Sequence, residues 1–236
     1  MPSLNWYQDA HGMYHLCTSG FKLQTTFQGI FDRQSKVWGL SCYSPSNLLP
    51  LIEQYALFVH LRNFSKMRQF YPQSNLLVEI SPNAALRVLQ QRKFRGAYHH
   101  CIAQFLAGSD KLLLTLGGQD CEDEDRLRDL ISKQAGLFKF NSLAIENFND
   151  RILGRVLALM PKTVTVDCSF LYDPFKADWM KCIQQWRNAG IMVIATGIKN
   201  KEEFDKMTLL GCHRFKGDYL SAPFLWPKEN KELCPN

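Results

Sequence analysis

The sequence predicts an α/β protein folded as a modified (β/α)8, TIM-like barrel whose first strand runs against the others. Strand-like and helical segments alternate along most of the chain, as they do when a parallel sheet is covered by helices. Eight strands can be counted, and no point of reversed strand order marks an open sheet, so closure into a barrel is favoured. Phe21 to Phe31 and Lys36 to Tyr43 are separated only by Asp32-Arg33-Gln34-Ser35. That gap is too short for a crossover helix, so the two runs must form an antiparallel hairpin.

Residues 1 to 20 carry no periodic pattern and read as an irregular lead-in, tied down through Trp6 and Tyr7. The barrel is expected over 21 to 224 and a polar tail over 225 to 236. After the hairpin, Pro50 to Phe70 places Leu51, Tyr55, Phe58 and Leu61 at helical intervals, and Leu76 to Ile80 reads as a strand. Helical sequence occupies Asn83 to Phe105, broken near Gly96. Lys111 to Leu116 reads as a strand, and Glu122 to Lys133 as a helix with acids in its first turn and a lysine in its last. Phe138 to Ile145 is a strand, Arg151 to Leu159 a short helix, and Thr163 to Asp167 a strand. Asp173 and Pro174 read as N-cap and first residue of a helix bearing Phe175, Trp179, Ile183 and Trp186 on one face and ended by Gly190.

The stretch from Gly190 to Pro223 is the most legible. Ile191 to Ala195 is a continuous β-branched run bounded by glycines, the pattern of a strand buried on both faces. Asn200 can cap the next helix with Glu203 as its capping-box partner. Phe204, Met207 and Leu210 give that helix an apolar stripe, and Gly211 stops it. A last strand is expected from Cys212 to Phe215.

Composition is that of a globular domain, 46% hydrophobic and 21% charged over 236 residues. No apolar run approaches the length of about eighteen residues that a membrane span requires, and the start has no basic region followed by an apolar one, so a cytoplasmic location and no membrane contact are expected. Eight scattered cysteines form no C-x-x-C pair and no zinc-spaced cluster, which points to reduced, buried thiols. Between Gln54 and Ser109 lie Arg62, Lys66, Arg68, Arg87, Arg92, Lys93 and Arg95 against the single acid Glu79, an excess equal to the whole chain's +6. This segment either faces an acidic protein partner or RNA phosphates, or is a solvated helical face.

Val193-Ile194-Ala195-Thr196-Gly197-Ile198-Lys199-Asn200 and Leu210-Gly211-Cys212 to Pro223 resemble the closing segments of the EAL family of cyclic di-GMP phosphodiesterases, V-V-A-E-G-V-E-T and L-G-C-D-x-x-Q-G-Y-x-x-S-x-P. The resemblance runs over about residues 21 to 224 and implies the EAL fold, a barrel with an antiparallel first strand. The family hydrolyses a phosphodiester with two divalent metals held by converging carboxylates, assisted by a lysine and a glutamate.

Set against that pattern, the frame persists while the acids do not. Gln28 matches the family's glutamine, whereas the E-A-L glutamate falls on Ser41. Glu79 stands for the ligand asparagine of V-N-L-S, and E-I-T-E falls on the run beginning at Thr115. The paired aspartates become Glu146 and Asn147, and L-K-I-D becomes Val164 to Asp167, which keeps Asp167 and puts Thr165 in place of lysine. Thr196 and Lys199 occupy the two glutamate positions of V-V-A-E-G-V-E-T, and Q-G-Y corresponds to Lys216-Gly217-Asp218.

Serine and threonine cannot replace ionised carboxylates around hard cations, and each lost acid-base or electrostatic role costs a factor of about 10² to 10⁴ in rate. No catalytic residue, metal or cofactor is therefore expected, and Gln28, Ser41, Glu79, Thr115, Glu146, Asn147, Thr165, Asp167, Thr196 and Lys199 form a vestigial pocket. The resemblance implies a non-catalytic regulator acting through a protein partner such as a transcription regulator. Stand-alone degenerate EAL proteins of enteric bacteria do this in controlling motility, fimbriae or biofilm. Loss of the phosphate-gripping residues argues against cyclic di-GMP as a ligand. Non-hydrolytic cyclic di-GMP or RNA binding is the alternative, and residual hydrolysis the remaining one.

Overall fold

The structure is a computed structural model that describes residues 5–10, 13–18, 21–43, 50–67, 70–72, 74–81, parts of 88–100, 112–116, 140–145 and 152–225. Strands β1 (Asn5–Gln8), β2 (Tyr14–Thr18) and β3 (Phe21–Leu23) form a separate three-stranded antiparallel sheet. The expected irregular lead-in is thus corrected. These strands are too short, at three to five residues, for their apolar alternation to register as a pattern, and side-chain contacts order them. Asp9 accepts from the Met13 N–H at 2.9 Å and pairs with His15 at 2.7 Å, which fixes the β1–β2 turn.

Helix α1 (Pro50–Met67) supplies the rest of that order. Asn63 accepts from the Tyr14 N–H at 2.7 Å and returns a bond to the Tyr14 carbonyl at 2.9 Å, a bidentate graft of side chain onto strand backbone. Its amide also donates to Thr25 Oγ1, on which His60 Nδ1 converges at 3.0 Å. Leu16 and Leu23 close the contact by packing on Ala56 and Val59.

The barrel comprises β4 (Thr26–Phe31), β5 (Val37–Tyr43), β6 (Asn75–Ile80), β7 (Leu112–Leu116), β8 (Phe140–Ile145), β9 (Thr163–Asp167), β10 (Met192–Thr196) and β11 (Arg214–Phe215). From β5 to β11 every neighbouring pair is parallel. β4 is antiparallel to β5, with Gln28 opposite Ser41, and antiparallel to β11 through Phe31 and Phe215, which closes the ring. The reversed first strand follows from the hairpin turn: Asp32 Oδ1 accepts from the N–H groups of Gln34 and Lys36, and Ser35 adopts φ +58°. The predicted strand from Phe21 to Phe31 is two strands, because the first three residues join the other sheet. β12 (Phe224–Leu225) pairs with β4, so the chain stays structured one residue into the expected tail.

Alternation along the strands sorts side chains into two sets. Phe27, Phe31, Leu40, Val78, Val164, Val166, Val193 and Phe215 face the helices and share one core with Trp179, Ile183 and Trp186 of α3 (Lys176–Asn188). Ile30, Leu77, Leu113 and Ile194 point the other way and form a layer inside the barrel. Gln28, Ser41, Glu79, Thr115, Thr165, Asp167 and Thr196 share that inward phase, so the strand period itself delivers them to the barrel interior.

Two helix predictions need adjustment. Asp173 does not cap α3, which starts three residues later with Phe175 at the cap position: its Oδ1 accepts from the Phe175 N–H at 2.7 Å, a local turn that aspartate favours. Its own N–H donates to Phe170, ending the 3-10 helix of Cys168–Tyr172, and Phe175 is exposed rather than packed beside Trp179. The last strand begins at Arg214, not Cys212. Helix α2 (Ile152–Leu159) is as expected. Residues 92–93 and 95–97 are helical, Gly96 included, whereas the helix expected over 122–133 lies outside the described residues. No described helix is long and apolar enough to cross a membrane.

Candidate functional site

At the end of the barrel where β6, β9 and β10 terminate, a cavity of about 340 Å³ opens. Of the residues singled out in the sequence, Gln28, Glu79, Thr165, Asp167, Thr196 and Lys199 line it together. Ser41 is buried and joined to the cavity through Lys216, whose Nζ donates to Ser41 Oγ at 3.3 Å. Thr115 is fully buried beside Glu79 in the β6–β7 register and does not line the cavity. Glu146 and Asn147 lie outside the described residues.

The residues that match the family pattern hold structure together. Gln28 Nε2 donates to Asp218 Oδ1 at 3.1 Å and to the Ser221 carbonyl at 2.9 Å, which ties β4 to the segment after β11. Asp167 Oδ1 accepts from the Ser169 N–H at 2.9 Å and caps the 3-10 helix. Gly197, at φ +73°, leaves room for that carboxylate: a Cβ there would stand 2.5 Å from Asp167 Oδ2.

The loop carrying Thr196 and Lys199 is anchored from behind by α4 (Lys201–Leu209). Asn200 Oδ1 accepts from the Glu203 N–H at 2.9 Å, as predicted. Glu203 reaches one residue further back than a capping box would, accepting from the Lys199 N–H at 2.7 Å. Tyr172 and the Cys168 thiol also donate to this nearly fully buried carboxylate. Burial alone would raise its pKa. The bonds from Lys199, Tyr172 and Cys168 and the Lys199 charge outweigh that and hold the carboxyl below its ordinary value. The same surroundings, burial first and Glu203 next, push the Cys168 thiol up to about 12, so it is no nucleophile near neutral pH. Replacing Asn200 by alanine removes one cap bond, and urea unfolding should register a loss of about 1 kcal/mol.

Lys216 and Asp218 are not among the residues that the sequence singles out. A signal exists, since they follow the last strand and fall on Q-G-Y, but a lysine there is a change of charge that the family pattern does not predict. Lys216 is held by its backbone, its N–H donating to Ala195 at 2.8 Å and its carbonyl accepting from Ile198 at 3.2 Å. Burial pulls its amino group below its ordinary pKa, while Glu79, Asp167 and Cys42 pull it back up.

Comparison with solved structures fixes the architecture. The EAL domain of Mycobacterium smegmatis DcpA matches with a TM-score of 0.69 at 18% identity, over 86% of this chain and 93% of that one. The chain has the fold of an EAL domain. A standalone versatile EAL protein from Vibrio cholerae O395 in its c-di-GMP bound form matches this EAL fold with a TM-score of 0.67 at 16% identity, over 86% and 92%. The cGMP bound form of EAL enzyme Bd1971 matches with a TM-score of 0.65 at 18% identity over 85% of this chain, which spans only 62% of that one. No protein-family model and no curated protein matches the sequence.

The EAL fold raises the question of a metal pair, and the described residues do not fit one. Around the cavity Glu79, Asp167 and Asp218 are set against Lys199 and Lys216, Asp167 and Asp218 already accept hydrogen bonds, and threonines fill other inward positions. Two hard divalent cations need several uncommitted oxygen ligands, most of them anionic. Among the described residues no group of three or more His, Cys, Asp or Glu side chains converges as a metal site requires.

The basic segment divides. Arg62 lies over the Tyr14 ring at 5.1 Å and helps dock the N-terminal sheet, with Lys66 one turn further along α1. Arg92, Lys93 and Arg95 are exposed on a helical stretch. Arg68 and Arg87 lie outside the described residues.

Proposed function

We propose that this chain is a catalytically inactive EAL-like domain that acts in the cytoplasm as a regulator by protein–protein interaction, its partner a transcription regulator governing motility, fimbriae or biofilm. The supporting observation is the bond from Lys216 to Ser41. Where the resemblance puts a metal-binding glutamate there is a hydroxyl, and the group that meets it is an amine. A site organised in this way cannot gather a metal pair or activate water through one. Among the described residues the barrel frame around it keeps its Asn200 cap, its glycine turns and a closed ring. A preserved scaffold without its chemistry is what binding through the outer surface requires.

The exposed Arg92, Lys93 and Arg95 favour RNA as the second reading. Affinity capture from the native host, followed by size-exclusion chromatography, should recover a stoichiometric protein complex. Recovery of no partner, together with a gel shift of RNA that weakens steeply with salt, would replace the first reading by the second. Nanomolar cyclic di-GMP binding by calorimetry would refute both.

A further inference from the structure

We infer that the base of the barrel, at the opposite end from the cavity, carries a docking site for an acidic segment of a protein partner, built from Arg33, Arg187 and Arg214 around the loop between α4 and β11. The inference rests on the protein-binding reading given above, and it names the surface and the chemistry of the partner.

Topology assembles the cluster. Arg33 sits in the β4–β5 hairpin, Arg187 in the last turn of α3 and Arg214 at the start of β11, segments far apart in the chain that meet at this end of the barrel. Each guanidinium is anchored to a carbonyl of the same short run. Arg187 Nη1 donates to Leu210 at 3.3 Å, Arg33 Nε to Cys212 at 3.1 Å and Arg214 Nη1 to His213 at 2.7 Å. Gly211 completes the fit, since a Cβ there would overlap the Arg187 guanidinium. Arg214 also lies over the Trp38 ring at 5.3 Å.

These anchors leave most of the donors and the charge unanswered. A guanidinium has about five N–H donors, and a single anchoring bond occupies only one of them. Arg33 and Arg187 are exposed, and among the described residues none of the three arginines forms an ion pair. The buried Arg214 Nε has no hydrogen-bond acceptor among those residues. Asp32 is the acid that acts on Arg214, and its Oδ1 is already committed to the N–H groups of Gln34 and Lys36. His213 feels the charges of all three arginines, which add to burial in lowering its pKa. Like charges held this close together are relieved by an anion.

A protein segment fits this site better than a nucleic acid. The forks are fixed around one loop, Leu210 to His213, which suits a bidentate grip on carboxylates, whereas a phosphate backbone calls for cations strung along a track. Leu209, 86% exposed, immediately precedes the loop and offers an apolar contact to a side chain of such a segment.

Fluorescence anisotropy on the full chain tests the inference. The probes are a labelled peptide in which runs of glutamate flank a leucine, the same peptide with glutamine for glutamate, and oligouridylate. Wild type should bind the glutamate peptide saturably at low salt and the glutamine peptide not at all. Arg33→Gln with Arg187→Gln should weaken the glutamate peptide by about tenfold or more, as loss of two charged donors does. Gln34→Glu with Gln184→Glu places an acid beside Arg33 and one helical turn before Arg187 while leaving the anchoring bonds in place. It should weaken the peptide as well, and it guards against a fold defect in the first variant. Glutamine at Arg92, Lys93 and Arg95 together should change nothing. Equal affinity of wild type and both paired variants would overturn the inference, as would oligouridylate that outcompetes the peptide and is lost with the same substitutions. Affinity capture separates the two levels. A stoichiometric partner held equally by wild type and by Arg33→Gln with Arg187→Gln overturns the base site and leaves the regulatory reading intact. Peptide binding that is lost in the variants, with no partner captured, supports the site and counts against that reading.

Discussion

Gly217→Ala is expected to destabilise the protein by about 3 kcal/mol or more, a large fraction of the stability of a typical domain. A Cβ at this position would collide with the carbonyl oxygen, nitrogen and Cα of Ile198, all backbone atoms that cannot swing aside as a flexible side chain would. The two segments are laced together by the Ile198 N–H to Lys216 carbonyl bond and the Tyr219 N–H to Ile198 carbonyl bond, so relief of the clash would break hydrogen bonds at the barrel mouth. Gly154 is the control. It lies exposed in α2 with nothing within 4 Å of the place a Cβ would take, and alanine there should stabilise by about 0.5 to 1 kcal/mol through helix propensity and reduced chain entropy. Urea unfolding of the two variants should therefore move the midpoint in opposite directions. Equal midpoints would show that the close approach of Gly217 to Ile198 does not exist.

The contrast between these glycines also indicates where sequence was informative. Strong, local signals were legible: the four-residue gap that forces a hairpin, the β-branched run of β10, the Asn200 cap, and Gly211 at φ +85° after the last helix. The strand period then placed Gln28, Glu79, Thr165, Asp167 and Thr196 in one cavity once the ring was closed. Interactions between distant segments were not legible. The N-terminal sheet depends on Asn63, His60 and Thr25 meeting across more than thirty residues, and its three short strands have too little apolar alternation to announce themselves. Lys216 gains its meaning only from Ser41, a residue that no spacing rule connects to it. The Asp173 turn escapes sequence reading because aspartate next to proline serves a cap and a local turn equally well.

The second large effect is on pH. His60 is buried in α1 against Thr25, and desolvation lowers its pKa from 6.5 to about 3. Folding therefore favours the neutral imidazole, and the unfolded chain binds the proton more readily. Stability from this group is fully present above pH 6.5 and is lost progressively as pH falls toward 3, a total of about 5 kcal/mol by linkage. About 1 kcal/mol of that should be gone by about pH 5.5, before most carboxylates titrate. Burial also lowers the pKa of His213, assisted by the charges of Arg187, Arg33 and Arg214, so it contributes in the same direction. Comparison with His60→Gln isolates the larger share. The wild type should lose stability between about pH 7.5 and 5.5 more steeply than the variant, and parallel profiles would contradict a buried neutral His60.

The proposed inactivity of the barrel mouth is tested most directly by incubating the purified chain with cyclic di-GMP and either magnesium or manganese, and separating the products by chromatography. With Lys216 bonded to Ser41 and no group of acidic side chains among the described residues placed to hold a metal ion, the expected result is intact cyclic dinucleotide at every metal concentration and time point. Metal-dependent accumulation of the linear dinucleotide would contradict it.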